Sequence, residues 1–286
     1  MAARRRGKKK SGRSYAWRYR GRIVACVFVE VIIICALVIM IGWNKGVKEW
    51  FEQFEQPVLK EVDISGINSP NAILMQARGG KILGEINGEA QIYPASMTKI
   101  MTVILGIENF DDLDEKITLT NEMFSGLYEQ DATQAGFQPG EEVRVIDLLY
   151  GAMLPSGAEC CIALADTISG SEADFAELMN KKAGKLGMEN THFCDSTGLH
   201  NPDHYSTVKD IAVLMKYCIK NDTFREIVET SRHSTGVTNI HPDGITYYST
   251  MFKNLSDPTV TGGKILGGKT GYTSEAGHCL VRSEEH

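Results

Sequence analysis

Acidic residues are absent from the first 22 positions of this 286-residue chain, which hold ten basic ones: Arg4, Arg5, Arg6, Lys8, Lys9, Lys10, Arg13, Arg18, Arg20 and Arg22. Charge is then almost absent from Ile23 to Trp43, where Glu30 is the only ionisable acid or base. An apolar run of about 20 residues is long enough to cross a bilayer as a helix. The positive-inside rule puts residues 1–22 in the cytoplasm and everything after Trp43 outside. Glu30 would cost about 3 kcal/mol at mid-membrane, which the surrounding Ile, Val and Leu outweigh. No Ala-x-Ala cleavage site follows the run, and it exceeds the usual length of a signal-peptide core, so it reads as an uncleaved anchor.

Disulfide frameworks are excluded next. Of seven cysteines, Cys26 and Cys35 lie in the apolar run, and Cys160, Cys161, Cys194, Cys218 and Cys279 follow it. Five is odd and no C-x-x-C occurs, so these read as small buried apolar residues. The chain also lacks internal repeats and low-complexity tracts. Thirty Lys and Arg stand against 36 acids overall, and the tail holds ten of the former. The remainder is therefore 20 against 36, a net of −16, which argues against nucleic acid as a partner.

What is there begins with a connector over 44–70, carrying Trp50, Phe51 and Phe54, and then a globular domain over 71–286. Ala72–Ala77 and Lys81–Glu85, separated by Gly79-Gly80, predict a β-hairpin. Pro94-Ala95-Ser96 leads into an apolar helix through Ile107. Val143–Leu154 and Ala158–Ile168 predict two helices broken at Pro155-Ser156-Gly157. Ser171–Leu186 is a capped helix ending at Gly187. Ser206-Thr207 precedes Asp210 at capping-box-like spacing and opens a helix over Val208–Ile219, and another helix starts near Asp222. Strand-like stretches follow at Thr246–Tyr248, Lys269–Thr273 and Cys279–Val281. Strands at both ends around a helical middle predict an α+β fold whose terminal segments share one sheet.

The chemistry concentrates in Ser96-Met97-Thr98-Lys99 and Lys269-Thr270-Gly271. A Ser and a Lys three apart on a helix share a face, so the amine can reach the hydroxyl. A serine hydroxyl is a weak nucleophile until its proton is taken, and a desolvated lysine can take it. Ser96 falls in the first turn, where its backbone N–H is free to serve as an oxyanion donor near the helix's positive end.

From about Asn71 to Leu280 the chain resembles the serine D-alanyl-D-alanine carboxypeptidases, the low-molecular-weight penicillin-binding proteins of the DD-peptidase/β-lactamase superfamily. The resemblance rests on Tyr93–Lys99, Leu148–Gly157, the segment from Thr197 through Thr207 to Asp210, and Gly268–Gly277. It implies a β-lactamase-like α+β fold, an antiparallel sheet flanked by a helical subdomain. It implies that Ser96 attacks the carbonyl between two terminal D-alanines to form an acyl-enzyme, with Lys99 as general base. Ser156 would relay a proton to the leaving amine. Lys269 and Thr270 would bind the terminal carboxylate, and Gly271 would leave room for an extended peptide. The N–H groups of Ser96 and Tyr272 would form the oxyanion hole. The implied partners are peptidoglycan stem peptides ending in D-Ala-D-Ala and the β-lactams that mimic them; no cofactor or metal is implied.

Two departures stand out. The family's Ser-x-Asn is Ser156-Gly157-Ala158 here, so the amide that usually contacts the active-site lysine is missing. Glu159 follows, but on a helix it points about 100° away. Only 15 residues follow Gly271, and Arg282–His286 reads as neither strand nor cap. A C-terminally truncated fragment of poor stability is the expectation. Gly263–Thr270 fits G-x-x-x-x-G-K-[ST] literally, but no helix follows to cradle phosphate. His192, Cys194, His200 and His204, with Asp195 and Asp203, match no standard zinc spacing and read as loop residues. A β-lactamase is the enzyme alternative, although neither Glu159 nor Glu172 has an Asn four residues on. A wall-peptide-binding module with lapsed catalysis is the non-enzyme alternative.

Overall fold

The chain divides into two units, Met1–Leu59 and Lys60–His286. The computed structural model describes the second, residues 60–286 apart from Ser256, and only Val31 of the first. The basic tail over 1–22, the apolar span over 23–43 and most of the connector lie outside the described residues. Among the described residues no helix is long and apolar enough to cross a membrane.

The first hairpin forms where the Gly79-Gly80 turn predicts it. β1 (Ala72–Met75) pairs antiparallel with β2 (Ile82–Ile86), and both turn glycines take positive φ. The chain docks on this hairpin before Asn71, because Val62 N–H donates to Leu83 O at 2.6 Å. A single pairing of that kind leaves no periodic trace in sequence.

The core is built on α1 (Lys99–Asn109), whose Ile100, Met101, Val103 and Ile104 are fully buried. α2 (Val145–Met153) and α3 (Ala158–Ser169) pack against it and each other. Gly106 permits the approach, since a Cβ there would lie 2.7 Å from Leu149 Cδ2. The remaining helices are α4 (Glu172–Leu186), α5 (Val208–Cys218) and α6 (Asp222–Glu229). Each begins at a side-chain cap: Ser171 accepts from Asp174 N–H, Thr207 from Asp210 N–H, and Asn221 from Phe224 N–H. Such caps contribute about 1 kcal/mol apiece. Phe175 of α4 is wholly enclosed in the same core. Phe175→Ala is therefore expected to cost about 3–5 kcal/mol, read as a lower urea midpoint at unchanged slope.

Short antiparallel pairs join the helical part: β3 (Lys116–Thr118) with β4 (Glu142–Arg144), and β5 (Arg232–Ser234) with β6 (Thr246–Tyr248). The last sheet has the order β7 (Thr259–Val260), β8 (Gly263–Thr273), β9 (Gly277–Glu285).

Two expectations need correction here. Arg282–His286 is not irregular, because β9 continues to Glu285 in register with β8, Lys264 opposite Glu285 and Gly268 opposite Arg282. Strand here is imposed by the ladder, and the charged side chains pair with one another, Lys264 with Glu285 at 3.3 Å and Arg282 with Glu284 at 2.9 Å. Nor do the terminal strands share one sheet among the described residues: β1–β2 and β7–β8–β9 are separate. What unites them is α5, which packs against both β1 and β9. The literal G-x-x-x-x-G-K-T match lies inside β8, with a strand rather than a helix after it.

Candidate active site

Ser96 sits on a 3₁₀ turn, Ala95–Thr98, that runs directly into α1. In 3₁₀ geometry residues i and i+3 eclipse, which brings Lys99 over Ser96 more directly than an α-turn would. Lys99 Nζ donates to Ser96 Oγ at 3.0 Å and to Thr197 O at 2.6 Å. The amine is 3% exposed. Burial pushes its pKa below the ordinary lysine value, the direction that favours a neutral amine able to accept the serine proton.

A second pair lies alongside. Lys269 of β8 donates to Ser156 Oγ at 3.0 Å and to Thr270 O at 2.8 Å, and is itself 1% exposed. Burial, and then the positive charge of Lys99, push the Lys269 amine down to about 7. Ser156 reaches this position with φ +74, and Ala95, just before the nucleophile, has φ +48. Left-handed backbone at a non-glycine costs about 1–3 kcal/mol and persists where the surroundings dictate it. Here it aims both serines at their lysines. Thr270 Oγ1 bonds Thr250 Oγ1 at 2.8 Å.

Gly271 has a reason that the sequence did not disclose. A Cβ there would lie 3.0 Å from Ser96 N and 3.2 Å from Ala95 Cβ. The strand thus needs glycine to lie against the nucleophile's own turn. Tyr272 follows, 62% exposed, and with Thr273 it lines the narrow cleft over Ser96 and Lys99. Asp131, Ala132, Thr133 and Ala158 form another part of that lining. Glu159 secures this wall: its Oε1 accepts from Ala135 N–H at 2.6 Å and Gly136 N–H at 2.9 Å. Ala158 N–H reinforces it by donating to Thr133 O. Glu159 therefore faces the 131–136 segment, and burial raises its pKa. Glu172 is likewise engaged, accepting from the hydroxyl of Ser196.

Beside Ser96, the other partner of the Lys99 amine is the Thr197 carbonyl. It belongs to the segment 192–206, whose base is closed by pairing of His192 with Tyr205 and of Ser206 with Ile92. Asp195 Oδ1 accepts from Thr197 N–H, Thr197 Oγ1 and Gly198 N–H, each at 2.7 Å. Sequence reasoning missed Thr197 because a backbone carbonyl carries no residue signature; the trace it leaves is Gly198, at φ +79 against Ala95 O. The residues weighed as metal ligands have other engagements. His204 faces Asp195 and Thr98, His192 Nδ1 meets Asp203 O at 2.6 Å, and His200 lies edge-on to Tyr93.

All seven residues that the motifs single out thus converge on one place: Ser96 with Lys99, Ser156 with Lys269, and Thr270, Gly271 and Tyr272 following Lys269 along β8. A serine held by a buried amine, with a second buried amine beside it, is the layout of a site that makes an ester on serine from a substrate carrying an anion. The model of peptidase family S11, D-alanyl-D-alanine carboxypeptidase, matches residues 58–286. The chain is 35% identical over 215 residues to D-alanyl-D-alanine carboxypeptidase DacF of Bacillus subtilis, covering 74% of this chain and 53% of the relative. It is 33% identical over 247 residues to DacC of Escherichia coli, covering 78% and 54%. The crystal structure of the Streptomyces K15 DD-transpeptidase matches with a TM-score of 0.70 at 29% identity, over 79% of this chain and 88% of that one. The chain belongs to the D-alanyl-D-alanine carboxypeptidase family, peptidase S11, and spans about half the length of the two curated relatives.

Proposed function

We propose that this protein is a serine-type D-Ala-D-Ala carboxypeptidase that removes the terminal D-alanine from peptidoglycan stem peptides and is acylated by β-lactams. The observation that carries this reading is the 3.0 Å contact from the Lys99 amine, whose pKa burial lowers, to Ser96 Oγ. In this reaction Ser96 Oγ attacks the penultimate D-alanine carbonyl while Lys99 takes its proton. The oxyanion is received by the N–H groups of Ser96 and Tyr272. Lys269, its amine held near neutrality by burial, regains full charge as the substrate carboxylate arrives, and Thr270 adds its hydroxyl. Ser156, already hydrogen-bonded to Lys269, passes a proton to the departing D-alanine nitrogen and is reprotonated by the one Lys99 took from Ser96. Water then cleaves the ester.

The β-lactamase reading is disfavoured by the two acids it would need. Glu159 Oε1 is held by the Ala135–Gly136 backbone and Glu172 by Ser196, and neither acid lines the cleft over Ser96 and Lys99 where a penicilloyl ester would sit. Residues 23–43 support an extracytoplasmic domain on a single membrane anchor, facing the wall peptides. The test is labelling with a fluorescent penicillin beside hydrolysis of diacetyl-Lys-D-Ala-D-Ala and nitrocefin. Stoichiometric label on wild type, none on Ser96→Ala, and peptide hydrolysis exceeding nitrocefin turnover are expected. Label without peptide hydrolysis would leave only a penicillin-binding module.

A further inference from the structure

Asp195 and His204 entered as loop residues, yet they join the two sides of the Ser96–Lys99 pair. His204 is 2% exposed, with Nε2 2.9 Å from Thr98 Oγ1 and Nδ1 3.2 Å from Asp195 Oδ2. Thr98 lies between Ser96 and Lys99 and is itself fully buried. Asp195, through its other oxygen, gathers Thr197 N–H, Thr197 Oγ1 and Gly198 N–H. The carbonyl of that same Thr197 receives the Lys99 amine. A continuous chain thus runs from the nucleophile's turn through imidazole and carboxylate to the carbonyl that holds the base. We propose that Asp195 and His204 are positioning residues for Lys99, bolting the Thr98 turn to the Thr197 carbonyl and keeping a fixed negative charge beside the amine. This rests on the acyl-enzyme reading given above.

The charges around Lys99 support the choice of Asp195. α3 presents Glu159, Cys160 and Cys161, β8 presents Lys269, and the 192–206 segment presents Asp195. Burial holds the Cys161 thiol up at about 12 and raises Cys160 well above the ordinary thiol value, so both stay neutral. Glu159 is raised by burial. Burial also pushes Asp195 up, but the hydrogen bond and charge of His204, with Thr197, outweigh it and hold the carboxyl at about 2. Glu172 also faces Asp195 and is raised by burial, although Ser196 hydrogen-bonds it. Asp195 is therefore an ionised acid acting on Lys99, opposing the fall that burial imposes.

Three variants separate positioning from mere packing. Asp195→Asn keeps an acceptor for Thr197 and Gly198 but removes the charge. It is expected to lower both the Lys99 titration midpoint and the acid limb of benzylpenicillin acylation by about one pH unit. The midpoint is read by NMR of ¹³Cε-lysine, with the resonance assigned by its loss in Lys99→Arg. Asp195→Ala also frees the turn, so acylation should fall at least about tenfold at every pH. Thr98→Val removes the His204 contact without touching charge, and should lower the acylation rate with no shift in its pH midpoint. A Lys99 midpoint that stays put in Asp195→Asn, or Asp195→Ala acylating at the wild-type rate, overturns the proposal. If the Asp195 variants do not fold, wild-type rates in the near-isosteric Thr98→Val overturn it instead. Absence of acylation in the wild type would sink the function reading alone, because the NMR titration still reports whether Asp195 acts on Lys99.

Discussion

Replacing Lys99 by methionine is expected to slow acylation of Ser96 by benzylpenicillin about a thousandfold while leaving the fold intact. General-base catalysis contributes roughly 10² to 10⁴ in rate, and Lys99 is the amine that reaches Ser96 Oγ. Methionine matches its length and carries no charge, so the variant loses the desolvation penalty of a buried ammonium and should melt at or above the wild-type temperature. The neighbouring lysine provides an internal check. Lys269 is held at about 7 by burial and then by the charge of Lys99; with Lys99 gone its midpoint should rise. Binding of a peptide carboxylate should then persist to higher pH although chemistry is lost. The measurements are penicillin acylation rates, the Lys269 titration by NMR, and a thermal melt. A loss below about tenfold would show that the proton leaves by another route, and the Ser156–Lys269 pair is the one to examine.

The helices were legible in sequence because their caps and apolar periodicity agree. Ser171, and Ser206-Thr207 with Asp210, mark helix starts that the structure places within one residue of the expectation. The hairpin at 72–86 was legible from two adjacent glycines between apolar runs. The β3–β4 pairing was not, because three-residue strands 26 positions apart carry no local pattern and exist through their ladder. The extent of β9 was hidden for the opposite reason: Arg282, Ser283, Glu284 and Glu285 look unlike a strand, and their pairing with 264–268 overrides propensity.

The site divides along similar lines. Ser96 and Lys99 are four residues of contiguous sequence, so their contact follows from helical spacing alone. Ser156 and Lys269 are 113 residues apart, and only the family resemblance joined them. The partners that complete the site were invisible for a chemical reason. Thr197 acts through its carbonyl, which every residue has, and Gly271 acts through an absent side chain. Asp195 and His204 were noticed as metal-like residues, yet what they engage is one another and the two turns that flank Lys99.

Gly198→Ala is expected to be among the most damaging single-methyl additions to the chain, costing roughly 2–5 kcal/mol. About 1–2 kcal/mol comes from left-handed backbone at a residue with a Cβ, and about 1–3 from overpacking. The methyl would lie 1.9 Å from Ala95 O, 2.5 Å from Ala95 C and 2.8 Å from Thr98 Oγ1 at φ +79. Those first two atoms are backbone of the nucleophile's turn, which cannot swing aside as a side-chain end can. Relief must come from moving 198 outward, and that draws the Thr197 carbonyl from Lys99 and the Gly198 N–H from Asp195. Acylation by penicillin should therefore fall along with stability. Gly187 is the matched control: its φ is +78, nothing lies within 4 Å of an added Cβ, and it closes α4 far from the chemistry. Gly187→Ala carries the backbone cost alone and should acylate at the wild-type rate. Urea midpoints and acylation rates of the two variants, compared side by side, isolate the clash. Equal losses in both would mean that the 198 turn is free to shift, and that the tight seat between it and Ser96 is not what holds Lys99 in place.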